Sequence, residues 1–276
     1  MEPTQYCEDK VAPRGSSLYY SCLFESQPKR EAYWAVYAFC REIRDIYYEC
    51  HEPDIAKRKL EWWRGEIEAI FKGASRHPVG QALQQPLAHH QLPQQLFIEY
   101  LDGLQLKLDM DHCCSEQDWQ LFSYREQGIP HILAGYIGGY SEPATIKLIH
   151  NLGLVINRVM MILELRRDAL KGKVFFPLAA MERVGVSPND FADLTMTPAL
   201  ITLLTEFADQ ARGEYRDNVA KMNKIDRKQQ RQSIIFAGLL LKLLDVVQAD
   251  GFPVFEQQVQ LTPLRKLWYA WRLRSQ

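Results

Sequence analysis

Apolar residues recur at spacings of three and four along most of the chain, as expected for helices that bury one face. No segment alternates apolar and polar residues in the manner of a β-strand. Proline, glycine and capping residues divide the pattern into segments. Helices are predicted over 18–24, 37–49, 54–72, 79–89 and 93–108, from 129 or 130 to 136, from 143 or 144 into the segment 152–177, and over 199–223 and 226–250.

Polar residues suited to helix N-caps precede several of these segments. A capping side chain accepts a hydrogen bond from a free backbone N–H of the first helical turn. The turn Gly15-Ser16-Ser17 is expected to cap the first helix. Asp54 is expected to cap the helix over 54–72, and Ser115 to cap a later one.

The segment 37–49 contains neither glycine nor proline, and it carries polar residues along one side. Tyr37, Arg41, Arg44 and Tyr48 share a face because their spacing follows the helical repeat. The apolar remainder predicts a helix buried on most sides, where two arginines need anionic partners. The alternative is a basic face exposed to water.

The segment 152–177 places acids in a comparable way. Asn157, Met160, Glu164 and Asp168 fall on one helical face, with the two carboxylates one turn apart. Such carboxylates can share a metal ion or receive two arginines. On an exposed face they would instead pair with basic neighbours, but the apolar run before Glu164 argues against that alternative.

Both segments resemble the squalene/phytoene synthase family. Residues 39–49, FCREIRDIYYE, are similar to the family segment FCRxxDDxxDE, and residues 152–177 resemble LGxxxQxTNILRDxxEDxxxGRxYLP. The likeness covers nearly the whole chain and is strongest to the bacterial presqualene diphosphate synthases. It implies an all-α, single-domain, isoprenoid synthase-type helical bundle over residues 1–276 around a central cavity. It also implies head-to-head condensation of two farnesyl diphosphates through presqualene diphosphate, with Mg²⁺ ions holding the diphosphates between two Asp-rich motifs.

The first motif departs from the family pattern at its metal-binding positions. The first and last aspartates of DxxxD fall on Arg44 and Tyr48. Asp45 and Glu49 match other acids of the pattern, but they point about 100° away around the helix. Because an arginine stays protonated and binds no cation, this half of a magnesium site is lost.

Other family positions change as well. In the second motif the last aspartate is unchanged as Asp168, whereas the family's Asn, Arg and first Asp are replaced. The replacements are Met160, Leu163 and Glu164. Lys107 stands where the family has an acid, and His131 stands at a glycine position where it would crowd a prenyl tail.

Carried over position by position, the resemblance implies a role for each matching residue. The catalytic candidates are Tyr37, Arg41, Asp45 and Glu49. The substrate-binding candidates are Ser17, Arg44, Tyr48 and Asn157. The candidate metal ligands are Glu164 and Asp168, which would hold Mg²⁺ if the protein is active.

Two hypotheses account for the basic residues of the first motif. In the first, Arg44 pairs directly with Glu164 or Asp168 where a bridging metal ion would otherwise neutralise them, because an unpaired buried charge costs several kcal/mol. In the second, Arg41 and Arg44 grip a diphosphate without metal.

Three functions are compatible with this pattern. The first is an active synthase that acts on farnesyl or a related prenyl diphosphate. The second is a catalytically silent relative that binds a lipid or a protein partner, as an assembly factor of this fold does. The third is a prenyl-diphosphate phosphatase or binder that uses half of the metal site or none. We expect the second, with the family reaction impaired or absent, because the first Asp-rich motif is lost.

Composition and charge narrow the remaining possibilities. The 276 residues are 47% hydrophobic and carry a net charge of -1, which gives no electrostatic support for nucleic-acid binding. The six cysteines lack zinc spacing, and the polar N-terminus lacks the pattern of a signal peptide, so a cytoplasmic protein is expected. The basic and aromatic tail 264–276 suits peripheral contact with the inner face of a membrane, or equally a structural helix with basic tips.

Overall fold

The computed structural model describes residues 1–50, 52–111 and 115–274. Within these ranges the regular structure is helical, and the only β element is an isolated bridge at Val174. The prediction of an all-α protein is therefore confirmed. The last two residues of the tail 264–276 lie outside the described ranges.

The N-terminal part of the chain forms six helices, and the third of them carries the first motif. Helices α1 to α6 are Pro3–Val11, Ser17–Cys22, Gln27–Glu49, Pro53–Phe71, Pro78–His90 and Gln94–Asp109. Helix α3 packs against α1, α4, α5 and α6 and against the later helix Ile129–Gly138, which buries it on most sides as predicted.

The C-terminal half carries the second motif and closes the bundle. Helices α7 to α11 are Glu116–Ser123, Ile129–Gly138, Ala144–Leu163, Leu165–Ala169 and Leu178–Arg183. Helices α12 to α15 are Pro198–Lys221, Lys224–Gln229, Arg231–Ala249 and Pro263–Leu273. A π-helical turn, Tyr124–Gly128, joins α7 to α8, and short 3-10 turns occupy Pro188–Phe191 and Pro253–Phe255.

Two of the predicted helix caps are present, and one is wrong. The Ser16 side chain accepts a hydrogen bond from the backbone N–H of Tyr19 at the start of α2. The Ser115 side chain accepts one from the backbone N–H of Asp118 at the start of α7. Asp54 does not cap α4, because the helix begins one residue earlier at Pro53. Proline suits the first helical position since its missing N–H would have no partner there, and Asp54 lies inside the first turn.

Two predicted long helices are each divided in the structure. The helix of the second motif stops at Leu163, and Glu164 has φ −99° and ψ 3° before α10 begins. The last core helix is divided at Gln230, whose buried amide donates to the carbonyl oxygens of Gly135 and Gly139. In both places a tertiary contact of the side chain accompanies the interruption.

Two glycines allow the π-helical turn to approach its neighbours closely. A Cβ on Gly103 of α6 would lie 2.6 Å from Cβ of Arg125, and one on Gly153 of α9 would lie 2.6 Å from the carbonyl oxygen of Gln127. Any larger residue at either position would push the turn outward. Glu126, in the middle of this turn, is thereby held in the interior, where it is buried.

Helices α9 and α14 are long and apolar enough to cross a membrane by length and composition. In the bundle 50% and 61% of their apolar windows, respectively, are buried. That degree of burial is typical of the central helices of a folded helical domain.

Candidate functional site

Six polar side chains meet between α3 and the junction of α9 with α10. Helix α3 contributes two of them, α6 one, the π-helical turn one, and the junction two. The buried ion-pair cluster, as we name it, consists of Arg44, Tyr48, Lys107, Glu126, Glu164 and Asp168.

A direct ion pair joins the two motifs. Arg44 Nη2 donates to Glu164 Oε1 at 2.9 Å, and the two side chains are 15% and 12% exposed. Tyr48 Oη lies 2.9 Å from Glu164 Oε2 and 3.4 Å from Asp168 Oδ1, so its single proton can serve either carboxylate. The hypothesis that Arg44 pairs with one of these acids is confirmed.

A second ion pair lies beside the first and is more deeply buried. Lys107 Nζ lies 3.2 Å from Glu126 Oε1, and the side chains are 2% and 7% exposed. The same ammonium lies 3.4 Å from Tyr48 Oη and 4.6 Å from the centroid of the Tyr47 ring. Lys107 therefore neutralises Glu126 inside the bundle.

Arg167 adds a cation at the edge of the cluster. Its guanidinium carbon lies 3.6 Å from the Tyr48 ring centroid, and its Nη1 atom lies 3.9 Å from Glu164 Oε1. Its side chain is about half exposed, so this pair contributes less than the buried ones. With Arg167 included, the three cations balance the three carboxylates of the cluster.

Burial and neighbouring charges set the protonation states. Burial alone would raise the pKa of Glu164, but Arg44 and Lys107 hold that pKa below its ordinary value. Burial raises the pKa of Asp168 to about 6 although Lys107 opposes the shift. Burial alone would lower the pKa of Lys107, but Glu126, Asp168 and Glu164 raise it overall, so Lys107 is charged at neutral pH.

The raised pKa of Asp168 predicts a pH-dependent contribution to stability. The folded chain keeps a proton on Asp168 up to about pH 6, whereas the unfolded chain releases it near the ordinary value of 3.8. The contribution of this group is therefore greatest below about pH 4 and falls as the pH rises to about 6. Asp168→Asn removes the titration, so its free energy of unfolding relative to wild type should rise by about 2 kcal/mol between about pH 4 and pH 7. Urea unfolding across this range measures the difference, and a pH-independent difference contradicts the assignment.

The side chains present do not fit a magnesium ion. The described residues contain no group of three or more His, Cys, Asp or Glu side chains arranged to hold a metal. Glu164 already receives Arg44 and Tyr48, while a guanidinium and an ammonium lie where a second wall of oxygen ligands would be required. The positive charge of Arg44 and Lys107 supplies the neutralisation that a divalent cation would provide.

Several other candidate residues lie on a different side of α3. Arg41 is exposed, and its Nε atom donates to Asp45 at 2.6 Å. Asp45 also pairs with Lys10 of α1 at 3.2 Å. Asp45 and the exposed Glu49 line a surface cavity of about 290 Å³ between α1, α3 and α4, and Trp62 also lines it. The structure thus separates Arg41, Asp45 and Glu49 from the buried ion-pair cluster.

The remaining candidates have other partners. Tyr37 packs against His131 and Phe236, with ring centroids 5.9 Å away in each case. The Asn157 amide donates to Ser123 Oγ at 2.8 Å. Ser17 is the first residue of α2, where its neighbour Ser16 makes the capping hydrogen bond.

Histidine at position 131 occupies space in the middle of the bundle. The side chain is fully buried, its ring lies stacked with Phe236, and its Nδ1 atom is 2.7 Å from the carbonyl oxygen of Gln127. That contact places the proton on Nδ1, and burial lowers the pKa of His131 to about 4, so the ring is neutral. Together with Tyr37, these rings form a packed aromatic group around position 131.

Sequence reasoning did not identify Glu126 as part of the site. The acid lies in a π-helical turn, where neither a period of 3.6 residues nor a motif relates it to α3. The available signal was Lys107, an isolated base on an apolar helix face that required a buried acid.

Comparison with known proteins gives the family. The squalene/phytoene synthase family model matches residues 11–265. The presqualene diphosphate synthase of Rhodopseudomonas palustris is 25% identical over 254 residues, which cover 92% of this chain and 91% of the relative. That of Zymomonas mobilis is 26% identical over 95% of this chain and 90% of the relative.

Solved structures agree with the fold. A dehydrosqualene synthase superposes with a TM-score of 0.86 at 19% identity, covering 99% of this chain and 95% of that one. A squalene synthase from Alicyclobacillus acidocaldarius gives a TM-score of 0.76 at 18% identity, covering 91% and 94%. The helical arrangement is the isoprenoid synthase fold. By its family match over almost its entire length, the chain belongs to the squalene/phytoene synthase family.

Proposed function

We propose that this chain is a non-catalytic member of the squalene/phytoene synthase family that acts by binding a partner through its outer surface. The observation that carries the proposal is the ion pair between Arg44 and Glu164. It occupies the space between the two motifs, where the family reaction requires a divalent cation and a diphosphate.

The chemistry of the family reaction supports this interpretation. Ionisation of an allylic diphosphate needs strong stabilisation of the leaving group, which bound Mg²⁺ supplies in the family. A cation entering this cluster would displace Arg44 from Glu164 and leave the guanidinium inside the bundle without its acid. Removing one partner from a buried pair costs about 3–5 kcal/mol, which opposes metal binding.

Two observations weigh against metal-independent binding of a prenyl diphosphate. The two arginines that would grip it are already paired, Arg41 with Asp45 and Arg44 with Glu164. His131 and Phe236 also lie stacked in the region that a prenyl tail would need. A partner is therefore better accommodated on the outside of the bundle than at its centre.

Incubation of the purified chain with farnesyl diphosphate and Mg²⁺ tests the proposal. We expect neither release of diphosphate nor a C30 product, because the residues that would hold the metal are neutralised internally. The presqualene diphosphate synthase of Rhodopseudomonas palustris, assayed in parallel, is the positive control. Magnesium-dependent formation of a C30 product by the wild-type chain would refute the proposal.

A binding measurement separates the silent protein from a metal-independent binder. Isothermal titration with farnesyl diphosphate in the presence of EDTA is expected to show no saturable binding. Saturable binding that is lost in Arg44→Ala would instead favour the binder and count against a silent centre.

A further inference from the structure

Helix α15 is held against the bundle by one of its faces. Lys266 Nζ donates to the carbonyl oxygen of Gly15 at 2.9 Å, which ties the helix to the turn before α2. Apolar side chains of the same face join a small cluster with α2 and α14. This cluster contains Ile235, Leu239, Ala270 and Leu273, with Tyr20, Phe24 and Tyr269 at its edge.

The opposite face of α15 is also apolar, and it is exposed. Leu264, Leu267, Trp268 and Trp271 are 79%, 43%, 50% and 54% exposed. With about 100° per residue, these four positions form one stripe that is about 100° wide. Single exposed apolar side chains are ordinary, but four large ones within eight residues form a patch of the kind that marks an interaction surface.

Basic side chains border this stripe. On the helical projection, Arg265 and Arg272 lie along one edge and Arg274 along the other. The Arg272 guanidinium carbon lies 5.4 Å from the Trp268 ring centroid, and that of Arg274 lies 5.3 Å from the Trp271 ring centroid. Residues 257–276 contain four basic side chains and no acidic one.

We propose that the exposed face of α15 docks the protein onto an anionic lipid surface, with the helix lying in the plane of the interface. Tryptophan and leucine side chains would enter the headgroup and upper acyl region, and the bordering arginines would contact lipid phosphates. The inference stands apart from the proposed function, because it depends on the surface of α15 and not on the state of the centre.

Charge complementarity favours lipid over a second copy of the chain. A two-fold contact between two α15 helices would place the bordering arginines of one copy beside those of the other. No acidic side chain of the segment 257–276 is present to compensate them. An anionic bilayer supplies the opposite charge on both edges of the stripe at once.

Vesicle co-sedimentation with the full chain tests this proposal. The wild type is expected to bind vesicles of phosphatidylcholine with phosphatidylglycerol and to bind phosphatidylcholine alone much more weakly. Trp268→Ser with Trp271→Ser should lower binding to the mixed vesicles by more than about tenfold. Arg265→Gln with Arg274→Gln should lower it by about thirtyfold at low salt, because each arginine near the surface contributes about 1 kcal/mol.

Trp62→Ser is the matched control, because Trp62 is 53% exposed on α4, away from the stripe. This variant should bind as the wild type does. Circular dichroism of all variants is expected to match the wild type, since every changed side chain is exposed. The proposal is overturned if the wild type does not bind the mixed vesicles. It is equally overturned if Trp62→Ser loses as much vesicle binding as Trp268→Ser with Trp271→Ser. A dimer interface on this face would also overturn it. In that case light scattering would show that the wild type is a dimer, that Trp268→Ser with Trp271→Ser is a monomer, and that neither protein binds vesicles.

Discussion

Replacing Lys107 by methionine is expected to lower the free energy of unfolding by about 3–5 kcal/mol. The ammonium is 2% exposed and pairs with Glu126, which is 7% exposed, so the change leaves a carboxylate buried without its cation. Glu164 and Asp168 lie in the same cluster, and they would also lose the attraction of the Lys107 charge. Urea unfolding, followed by circular dichroism and tryptophan fluorescence together, measures the change.

The control for this prediction is a lysine in an exposed pair. Lys72 pairs with Glu68 one turn away on α4, and both side chains are largely exposed. Lys72→Met is expected to cost no more than about 0.5 kcal/mol. Adding Glu126→Gln to Lys107→Met should recover most of the loss, since a buried pair can be replaced at little cost when both charges are removed. Equal effects of Lys107→Met and Lys72→Met would show that the buried pair contributes nothing beyond a surface pair.

The contact between the two motifs could be predicted because the helical spacing and the charges of their residues point to the same arrangement. The helical repeat placed Arg44 and Tyr48 on one stripe, and Glu164 and Asp168 on another. The first motif has lost two acids and gained a base, whereas the second motif keeps two acids. Buried charges need partners, so the base of the first motif was expected to pair with an acid of the second. The structure contains that pairing at 2.9 Å.

The features that escaped prediction depend on tertiary contacts. The break at Glu164 has no glycine or proline beside it, and the apolar pattern continues through it. The Gln230 interruption depends on carbonyl groups of the α8 C-terminus, which are distant in sequence. The position of Glu126 depends on a π-helical turn admitted by Gly103 and Gly153, which no local propensity encodes.

On the proposed function, the cluster also explains how the fold can be stable without a bound metal ion. Carboxylates that face each other across a bundle repel unless a cation lies between them. In this chain Arg44 and Lys107 provide permanent cations from within the sequence.

A double-mutant cycle on Arg44 and Glu164 measures the coupling energy between these two side chains. Arg44→Met is expected to lower the free energy of unfolding by about 3 kcal/mol, because Glu164 remains inside with Tyr48 as its nearest donor. Combining Arg44→Met with Glu164→Gln should restore most of that loss, giving a coupling energy of about 2 kcal/mol or more. The exposed pair Arg183 and Glu206 is the matched control, with an expected coupling below about 1 kcal/mol.

Arg44→Asp tests whether an acid at position 44 allows the cluster to bind a metal ion. The change returns a carboxylate to the face opposite Glu164 and Asp168, and like charges then meet inside the bundle. We expect a loss greater than that of Arg44→Met in EDTA, and a thermal midpoint that rises with added Mg²⁺ in this variant but not in the wild type. A wild-type midpoint that rises equally with Mg²⁺ would mean that the carboxylates already accept a metal beside Arg44. If the thermal midpoint of Arg44→Asp does not change with Mg²⁺, the absence of an acid at position 44 is not what prevents metal binding. Lys107 would then have to be replaced as well.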